Sequence, residues 1–348
     1  MNIEKPIVTV VMAVYNNEKY IQTAIDSILG QTLKNLELII IYDLSSDRTK
    51  EIVSGYNDSR IIFIENKERL GPVSSRNIGL KRARGIYIAI MDGDDISLPK
   101  RLQNQVGYME RNKDIAISGT WSKTFGAKHN YITRHHTDPD QIKANLLFRT
   151  SLTHSSIIMR REFMNKHNIT YTENQIPPFP EDLDLYSRVS RIGKLGNINK
   201  VLLLYRKHQE QSSKENVGIQ IEHARRILAY QLNNLGIIPT EKDIDTLISF
   251  KRYLFLDDSN FFGELELLFD KIINANKKSN TYKEKALKKV CGEVWLETAI
   301  AYSINNENAW KTFCNGAPGR WIKLSPRNVA KILKLLFKTI VLIFKNNI

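Results

Sequence analysis

The chain has 348 residues, of which 42% are hydrophobic and 25% charged, with a formal net charge of +14. This composition is ordinary for a folded soluble protein of one large or two moderate domains. Cys291 and Cys314 lie far apart and outside any CxxC or His-rich context, which argues against a disulfide framework or a zinc site and predicts two buried thiols. The N-terminus lacks a signal-peptide pattern, and no window reaches the roughly 18 to 20 apolar residues of a membrane span. We therefore expect a cytoplasmic protein.

The first 120 residues alternate between strand-like and helix-like patterns. Nearly continuous apolar, β-branched runs predict buried strands, and apolar residues at a spacing of three and four predict helices. Strands are predicted at Ile7–Tyr15, Leu36–Tyr42, Arg60–Glu65 and Tyr87–Met91. Helices are predicted between and after them, at Tyr20–Leu29, from about Arg48, at Pro72–Ala83 and from Pro99. This order predicts an α/β fold with a parallel sheet and helices on both faces.

Beyond residue 115 the alternation becomes irregular. Short apolar runs predict further strands that extend the sheet in a mixed arrangement, at Ile115–Trp121, Ser156–Met159 and Val201–Tyr205. From Val217 to Asn315 the pattern is mostly helical, with long stretches at Gln220–Leu235 and Lys283–Ser303. A helical C-terminal region, residues 216–325, is therefore expected after the α/β domain.

Three acidic residues directly follow the predicted strand Tyr87–Met91, in the sequence Asp92-Gly-Asp-Asp95. Open α/β sheets bind ligands at the carboxyl ends of their strands. Asp92 and Asp94 offer hard oxygen ligands that suit Mg²⁺ or Mn²⁺ bridging a diphosphate. Such an ion would neutralise charge on a departing nucleoside diphosphate, although the same residues also suit a solvated turn.

Four segments of the first 215 residues, in this order and spacing, resemble motifs of the family 2 glycosyltransferases, which have the GT-A fold. They are VVMAVYNNEKYI, ELIIIYDLSSDRT, GPVSSRNIGL and MDGDDISLPKRLQNQVGYME. The resemblance implies a GT-A domain over residues 1–215, with a nucleotide-sugar-binding half at 1–110 and an acceptor-binding half at 111–215. It also implies an inverting transfer from a nucleotide-diphosphate sugar, with a UDP-sugar favoured and Mn²⁺ or Mg²⁺ as cofactor.

The resemblance assigns a set of residues to the nucleotide sugar, position by position. Asp43 would bond to the edge of the base, Arg76 would lie near the base or the diphosphate, and Asp94 would bind the metal. Two residues depart from the family pattern, since Tyr42 replaces the first acid of an Asp pair and Leu44 replaces its glycine. These departures bear on which base is bound. The full set implied is Ala13, Tyr15, Asp43, Arg76, Asp92 and Asp94.

A second acidic segment, Pro180-Glu-Asp-Leu-Asp184, has the composition of a helix start, where acids complement the helix dipole. An inverting transfer needs a carboxylate on the face opposite the leaving group, to remove the proton of the acceptor hydroxyl. The Glu-Asp pair of the family falls on Glu181 and Asp182. The resemblance implies that Asp182 is the general base and that Glu181 supports it, with the preceding proline-rich residues 175–180 forming an acceptor-facing loop.

Two histidines complete the predicted site. Tyr205-Arg-Lys-His208 resembles a segment that supplies a further metal ligand in family members, so His208 is expected to bind the metal or the diphosphate. His154 resembles a histidine that precedes a strand near the acceptor pocket, and a structural role suits it equally well.

The C-terminal residues 326–348 combine positive charge with apolar residues. No acidic residue follows Glu307, and Lys331, Lys334 and Lys338 fall at helical spacing. A basic amphipathic helix suits the surface of an anionic membrane, and a terminal helix packed on protein is the alternative. We expect peripheral association with the inner face of the plasma membrane and a glycan or lipid-linked oligosaccharide as acceptor. Whether the chain forms a homo-oligomer is left open.

Other functional classes fit the sequence less well. A nucleotidyltransferase that makes sugar nucleotides should carry a Gly-rich loop after the first strand, where this chain has AVYNNEKY, and a dinucleotide-dependent oxidoreductase should carry GxGxxG. A non-catalytic membrane-binding module gives no reason for acids at both 92–94 and 182. Nucleic-acid binding is disfavoured because the positive charge clusters in the tail without interleaved exposed aromatic residues.

Overall fold

A computed structural model describes most of the chain as two compact units. Residues 1–142 with 150–220 form the first unit, and residues 143–149 with 221–348 form the second. The ranges described are 5–127, 130–173, 180–208, 217–252, 260–303, 309–322 and 328–337. The sequence analysis assigned 143–149 to the acceptor half. The structure differs there because Ala144, Leu147 and Phe148 pack in the apolar core of the second unit.

The first unit is built on a mixed sheet of nine strands within the described residues. The strands are β1 Val8–Val14, β2 Leu36–Tyr42, β3 Ile61–Glu65, β4 Tyr87–Ile90, β5 Ile96–Ser97, β6 Ile115–Phe125, β7 Ile132–Thr133, β8 Ile158–Arg160 and β9 Lys194–Arg206. Their order is β3-β2-β1-β4-β8-β6-β9-β5, with β7 paired to β6. The first four strands are parallel, as the alternating pattern predicts, and β8 joins them antiparallel to β4.

Within the described residues, seven α-helices accompany these strands, and the fifth of them ends in residues of the second unit. They are α1 Ile21–Leu29, α2 Thr49–Ser54, α3 Gly71–Arg82, α4 Arg101–Arg111, α5 Pro139–Asn145, α6 Arg161–Lys166 and α7 Glu181–Val189. The apolar face predicted for α1 is confirmed, because Ile21, Ala24, Ile25 and Ile28 are all buried. Helix α3 approaches β1 closely at Gly79, where an added Cβ would lie 2.3 Å from a Val11 methyl carbon. This contact explains why the motif GPVSSRNIGL has glycine there.

Polar residues of the recognised motifs connect β4 to its neighbours. The buried Arg101 donates to the carbonyl of Ile90 at 2.8 Å, at the end of β4. Burial lowers the pKa of Arg101 to about 10. Gln105, one helical turn later, accepts from Arg101 and donates to the carbonyl of Ser156 at 2.8 Å. These bonds give buried carbonyl groups partners where strand pairing ends, and they hold the segment after β4 in place.

The second unit is helical over its described residues, as predicted for 216–325. Its helices are α8 Val217–Asn234, α9 Glu241–Arg252, α10 Phe261–Ser279, α11 Glu284–Tyr302 and α12 Ala309–Asn315. Cys291 is buried in α11, but Cys314 is exposed on α12, so the prediction of two buried thiols is wrong for Cys314. No helix in the described ranges has both the length and the apolar content to cross a bilayer.

The C-terminal segment is described only at residues 328–337, which are helical. The remainder of the predicted basic tail lies outside the described residues. Leu335 is buried in the core of the second unit, and Lys331 pairs with Glu297. The opposite face carries exposed apolar side chains at a spacing of four, Val329, Leu333 and Phe337, together with the exposed Lys334. Lys331, one of the three lysines predicted at helical spacing, therefore pairs with a carboxylate of its own unit, whereas Lys334 is exposed.

Candidate functional site

The acids that follow β4 lie at the carboxyl edge of the parallel strands. Asp92 and Asp94 are partly buried, whereas Asp95 is buried and accepts hydrogen bonds from the backbone N–H of Arg206, at 2.8 Å, and from the Ser155 hydroxyl. Burial, followed by the charges of Asp94 and Asp92, raises the pKa of Asp95 well above its ordinary value. Asp95 therefore joins the acidic turn to neighbouring segments, whereas Asp92 and Asp94 are less buried.

Asp94 and His208 meet as the sequence analysis expected. The Asp94 Oδ2 lies 3.0 Å from the His208 Nε2, and the Arg206 side chain donates to the Asp94 carbonyl at 2.7 Å. Burial, then the charge of Asp92, raises the pKa of the Asp94 carboxyl, while His208 opposes the shift. The ring of Tyr20 lies 4.9 Å from that of His208. A carboxyl oxygen and an imidazole nitrogen, both predicted metal ligands, thus lie together.

A carboxyl oxygen and an imidazole nitrogen are both groups that bind divalent cations. In this structure the two atoms are hydrogen-bonded to each other at 3.0 Å, so a cation held by both would replace that bond. The described residues contain no group of three or more His, Cys, Asp or Glu side chains placed to hold an ion. Mg²⁺ and Mn²⁺ commonly take few protein ligands and complete their coordination with phosphate oxygens and water. Asp94 and His208 therefore suit a cation that arrives with a diphosphate.

Arg76 joins the acids after β4 to α7. Its guanidinium lies 2.7 Å from the Glu181 Oε1 and 3.3 Å from the Asp92 Oδ1, and its side chain is 11% exposed. Burial acts to lower the pKa of Arg76, but the charges of Glu181 and Asp92 outweigh it and raise the pKa. Arg76 was predicted near the base or the diphosphate. The structure shows it bridging Asp92 and the predicted catalytic helix.

Helix α7 begins at Glu181, where the sequence predicts a helix start, and Pro180 precedes it. The Asp182 Oδ1 accepts from the backbone N–H of Leu183 at 2.7 Å, within the first turn. Carboxylates are stabilised there by the free N–H groups and the helix dipole. Glu181 and Asp182 therefore both lie in the first turn of α7, where Arg76 binds Glu181 and the backbone N–H of Leu183 binds Asp182. The predicted acceptor-facing loop, apart from Pro180, lies outside the described residues.

His154 lies near this helix, in a short 3₁₀ turn at His154–Ser156. Its Nε2 is 2.8 Å from the hydroxyl of Tyr171, and the ring of Tyr171 lies 5.8 Å from the Arg76 guanidinium. Burial, then the positive charge of Arg76, lowers the pKa of His154. The lowered pKa favours the neutral form of His154, which suits hydrogen bonding more than electrostatic stabilisation of an anion.

Tyr171 is a site residue that sequence reasoning missed. It is buried, and Asn77 fixes its backbone by accepting from the Tyr171 N–H and donating to the Tyr171 carbonyl, both at 2.9 Å. Asn77 directly follows Arg76 in the recognised motif, so one turn of α3 supplies both the guanidinium and this support. The segment around Tyr171 itself has no pattern that could have revealed its position.

The predicted base-contact residues lie at the ends of β1 and β2. Ala13 is partly exposed in β1, and Tyr15 follows that strand with 36% of its surface exposed. Asp43 is buried, and its carboxylate accepts from the N–H groups of Leu70 and Gly71 and from the Asn66 amide, each at 2.8 Å. The carboxylate of Asp43 therefore fixes the backbone at the start of α3, so this residue has a structural role whether or not it also contacts the base.

Leu44, which stands where the family pattern has glycine, adopts the backbone conformation that glycine favours. Its φ is +53°, and the φ of Asn16 in the facing loop is +51°. The two loops are bonded to each other, since Asn16 donates its N–H to Ser45 and accepts from the N–H of Ser46, both at 2.9 Å. These bonds maintain the strained conformation of Leu44, so the departure leaves the loop geometry intact.

Comparisons with known proteins confirm the family resemblance and the fold. Residues 9–174 match the model of the family described as "Glycosyl transferase family 2". An uncharacterised glycosyltransferase of Haemophilus influenzae is 34% identical over 67% of this chain and 76% of its own length. The Escherichia coli protein WfaP, named as a UDP-Glc:α-D-GlcNAc-diphosphoundecaprenol β-1,3-glucosyltransferase, is 30% identical over 67% of this chain and 94% of its own length. The structure of residues 1–349 of Staphylococcus aureus TarS in complex with UDP-GlcNAc aligns with a TM-score of 0.57 and 17% identity, over 89% of each chain.

Proposed function

Because the chain belongs to family 2 of the glycosyltransferases and has the GT-A fold, we propose that it transfers a sugar from a UDP-sugar to a hydroxyl of a cell-surface glycan or lipid-linked oligosaccharide, with inversion at the anomeric carbon. The observation that carries this proposal is the Arg76 bridge, with its guanidinium 2.7 Å from Glu181 and 3.3 Å from Asp92. It brings the acids of the donor side and the predicted general base into one site of the first unit.

Each side chain then has a part in the reaction. Asp92 and Asp94 face the nucleoside diphosphate, and Asp94 with His208 would hold a divalent cation that offsets the negative charge of the leaving diphosphate. Asp182 takes the proton of the acceptor hydroxyl as its oxygen attacks the anomeric carbon. Glu181, held by Arg76, fixes the start of α7 and with it the orientation of Asp182.

The choice of a UDP-sugar and of a lipid-linked acceptor rests on similarity. TarS is described in complex with UDP-GlcNAc, and the printed name of WfaP gives a UDP-glucose donor and a diphosphoundecaprenol-linked acceptor. The enclosure of Arg76 between carboxylates leaves Asp94 and His208 as the pair that we propose for the cation. The proximity of these two side chains supports a metal-dependent use of the donor.

A screen of nucleotide sugars for hydrolysis and transfer, with Mn²⁺, with Mg²⁺ and with a chelator, tests this proposal. Asp94→Asn should lose donor binding and turnover together, whereas Asp182→Asn should still bind donor but lose transfer by a factor of about 10² or more. Asp114→Asn is the matched control, since Asp114 is an exposed acid paired with Lys194 on the same unit. Wild-type turnover in the Asp182→Asn variant would refute the assignment of Asp182 as general base. Turnover that persists in the presence of the chelator would refute the proposed metal cofactor.

We further propose that the C-terminal helix associates with the inner face of the plasma membrane. The exposed face of residues 328–337 supports this, because Leu333 is 59% and Phe337 68% exposed and Lys334 is exposed between them. Apolar side chains with adjacent lysines bind anionic lipid surfaces. Leu333→Glu should reduce sedimentation with anionic liposomes, whereas Ile238→Glu, at a residue 92% exposed elsewhere in the second unit, should not. Equal sedimentation of all three proteins would refute the proposal.

A further inference from the structure

Arg69 lies over the face of an aromatic ring at the donor side of the first unit. Its guanidinium carbon is 4.0 Å from the centre of the Tyr15 ring, and both side chains are exposed. Within the described residues, no carboxylate forms an ion pair with Arg69. Because the Arg69 side chain is exposed and stacks on an aromatic face, its guanidinium can also contact an anionic or planar ligand.

The loop that carries Arg69 is fixed at both ends. Asn66 donates its backbone N–H to the carbonyl of Tyr42 at 3.0 Å, and its side chain donates to Asp43 at 2.8 Å. At the other end the N–H groups of Leu70 and Gly71 donate to Asp43, each at 2.8 Å. One buried carboxylate thus determines where the backbone of residue 69 runs, beside the carboxyl ends of β1 and β2.

We propose that Arg69 is a donor-binding residue that, together with Tyr15, holds the nucleoside of the donor. The carboxyl edge of parallel strands is where α/β proteins bind nucleotides. A guanidinium is planar, stacks on aromatic faces and donates several N–H bonds in its plane, so it can contact both the flat face of a base and its carbonyl oxygens. Asp43 acts through this arrangement as a positioning residue. This inference rests on the proposed use of a nucleotide sugar.

Calorimetric titration of UDP into the wild type and three variants tests the inference without any acceptor. Arg69→Ala should weaken UDP binding by about 3- to 30-fold, the range that one cation–π and stacking contact provides. Arg69→Lys keeps the positive charge but loses the planar guanidinium group, so its affinity for UDP should lie between those of the wild type and Arg69→Ala. Arg48→Ala is the matched control, because Arg48 is exposed on the neighbouring loop and paired with Glu51. Its affinity should stay within about twofold of the wild type.

A competing anion separates contact with the nucleoside from contact with the phosphates. Inorganic pyrophosphate should bind the wild type and Arg69→Ala equally well if Arg69 contacts the nucleoside. An equal loss for pyrophosphate and UDP would overturn the assignment, as would UDP affinity in Arg69→Ala within twofold of the wild type. If the wild type bound no nucleoside diphosphate with either metal, the proposed function would fail instead, so the two failures are distinguishable.

Discussion

Replacing Arg76 by methionine removes the cation between Asp92 and Glu181 while keeping an unbranched side chain of similar length. Arg76, Glu181 and Asp92 are 11%, 21% and 30% exposed, so water screens the interaction only in part. A charge-assisted hydrogen bond contributes about 1.5–3 kcal/mol. Because the contact to Asp92 is long, at 3.3 Å, we count only the 2.7 Å bond to Glu181 in full. The expected loss in the free energy of unfolding is therefore about 2–3 kcal/mol.

Urea denaturation and a thermal scan measure this loss. For a unit of about 200 residues, 2–3 kcal/mol corresponds to a decrease in Tm of about 4–12 °C. Transfer activity should fall about 100-fold, since a displacement of catalytic groups by about 1 Å has effects of that size. Arg84→Met is the control, because Arg84 pairs at 2.6 Å with the buried Glu37 on the side of the sheet away from the acidic turn. It should lose stability but keep its activity.

A double-mutant cycle with Glu181→Gln decides whether Arg76 acts through Glu181. The coupling between the two substitutions should be about 1–2 kcal/mol in stability, since residues in direct contact are not additive. Additive effects within about 0.3 kcal/mol, or an Arg76→Met protein with wild-type stability and activity, would refute the reasoning.

Two further predictions follow from the environments of the histidines. The pKa of His154 is lowered by burial and by Arg76, so the unfolded chain takes up this proton more readily than the folded protein. The stability that the neutral His154 contributes at pH 7 should therefore be lost as the pH falls below about 6.5. The free energy of unfolding should decrease by at most about 1.4 kcal/mol per pH unit from this group. His154→Gln should show a shallower loss in urea denaturation at pH 7.5 and 5.5, and an identical slope would contradict the assignment. His208→Ala should weaken Mn²⁺ binding in the presence of UDP by at least about 10-fold, measured by calorimetry, since even the loss of a supporting residue costs 10- to 100-fold. Unchanged Mn²⁺ affinity would exclude His208 as a ligand.

The sequence predicts the parallel half of the sheet well because its strands are buried on both faces and consist of apolar residues. It predicts the other half less well. Strand β9 begins at Lys194, seven residues before the predicted start at Val201. The sequence did not indicate this first part of the strand because residues 194–200 include glycine, asparagine and two lysines, which are uncommon in strands. The predicted strand at Ser156 begins instead at Ile158, after a 3₁₀ turn. Both segments obtain their conformation from pairing with β6, which local composition does not encode.

The acids of the site could be assigned from motifs, but their connections could not. Arg76 and Glu181 are 105 residues apart, and the Arg206 backbone that bonds to Asp95 is 111 residues from it. Pairs at such separations depend on how the sheet order brings α3, α7 and β9 together at one edge. Local patterns identify which side chains can carry chemistry, and the three-dimensional fold determines which of them face each other.

The connections also constrain how the two sides of the site act. Arg76 contacts Asp92 on the donor side and Glu181 at the start of the helix that presents Asp182, so one buried charge balances both. A ligand that draws Asp92 away from Arg76 therefore leaves its guanidinium to Glu181 alone, and a change at Glu181 alters the charge that Asp92 experiences. If the proposed roles of Asp92 and Asp182 hold, donor binding and the orientation of the general base would be coupled through the side chain of Arg76. The residue that provides this coupling lies on α3, which packs closely against β1 where Gly79 meets Val11.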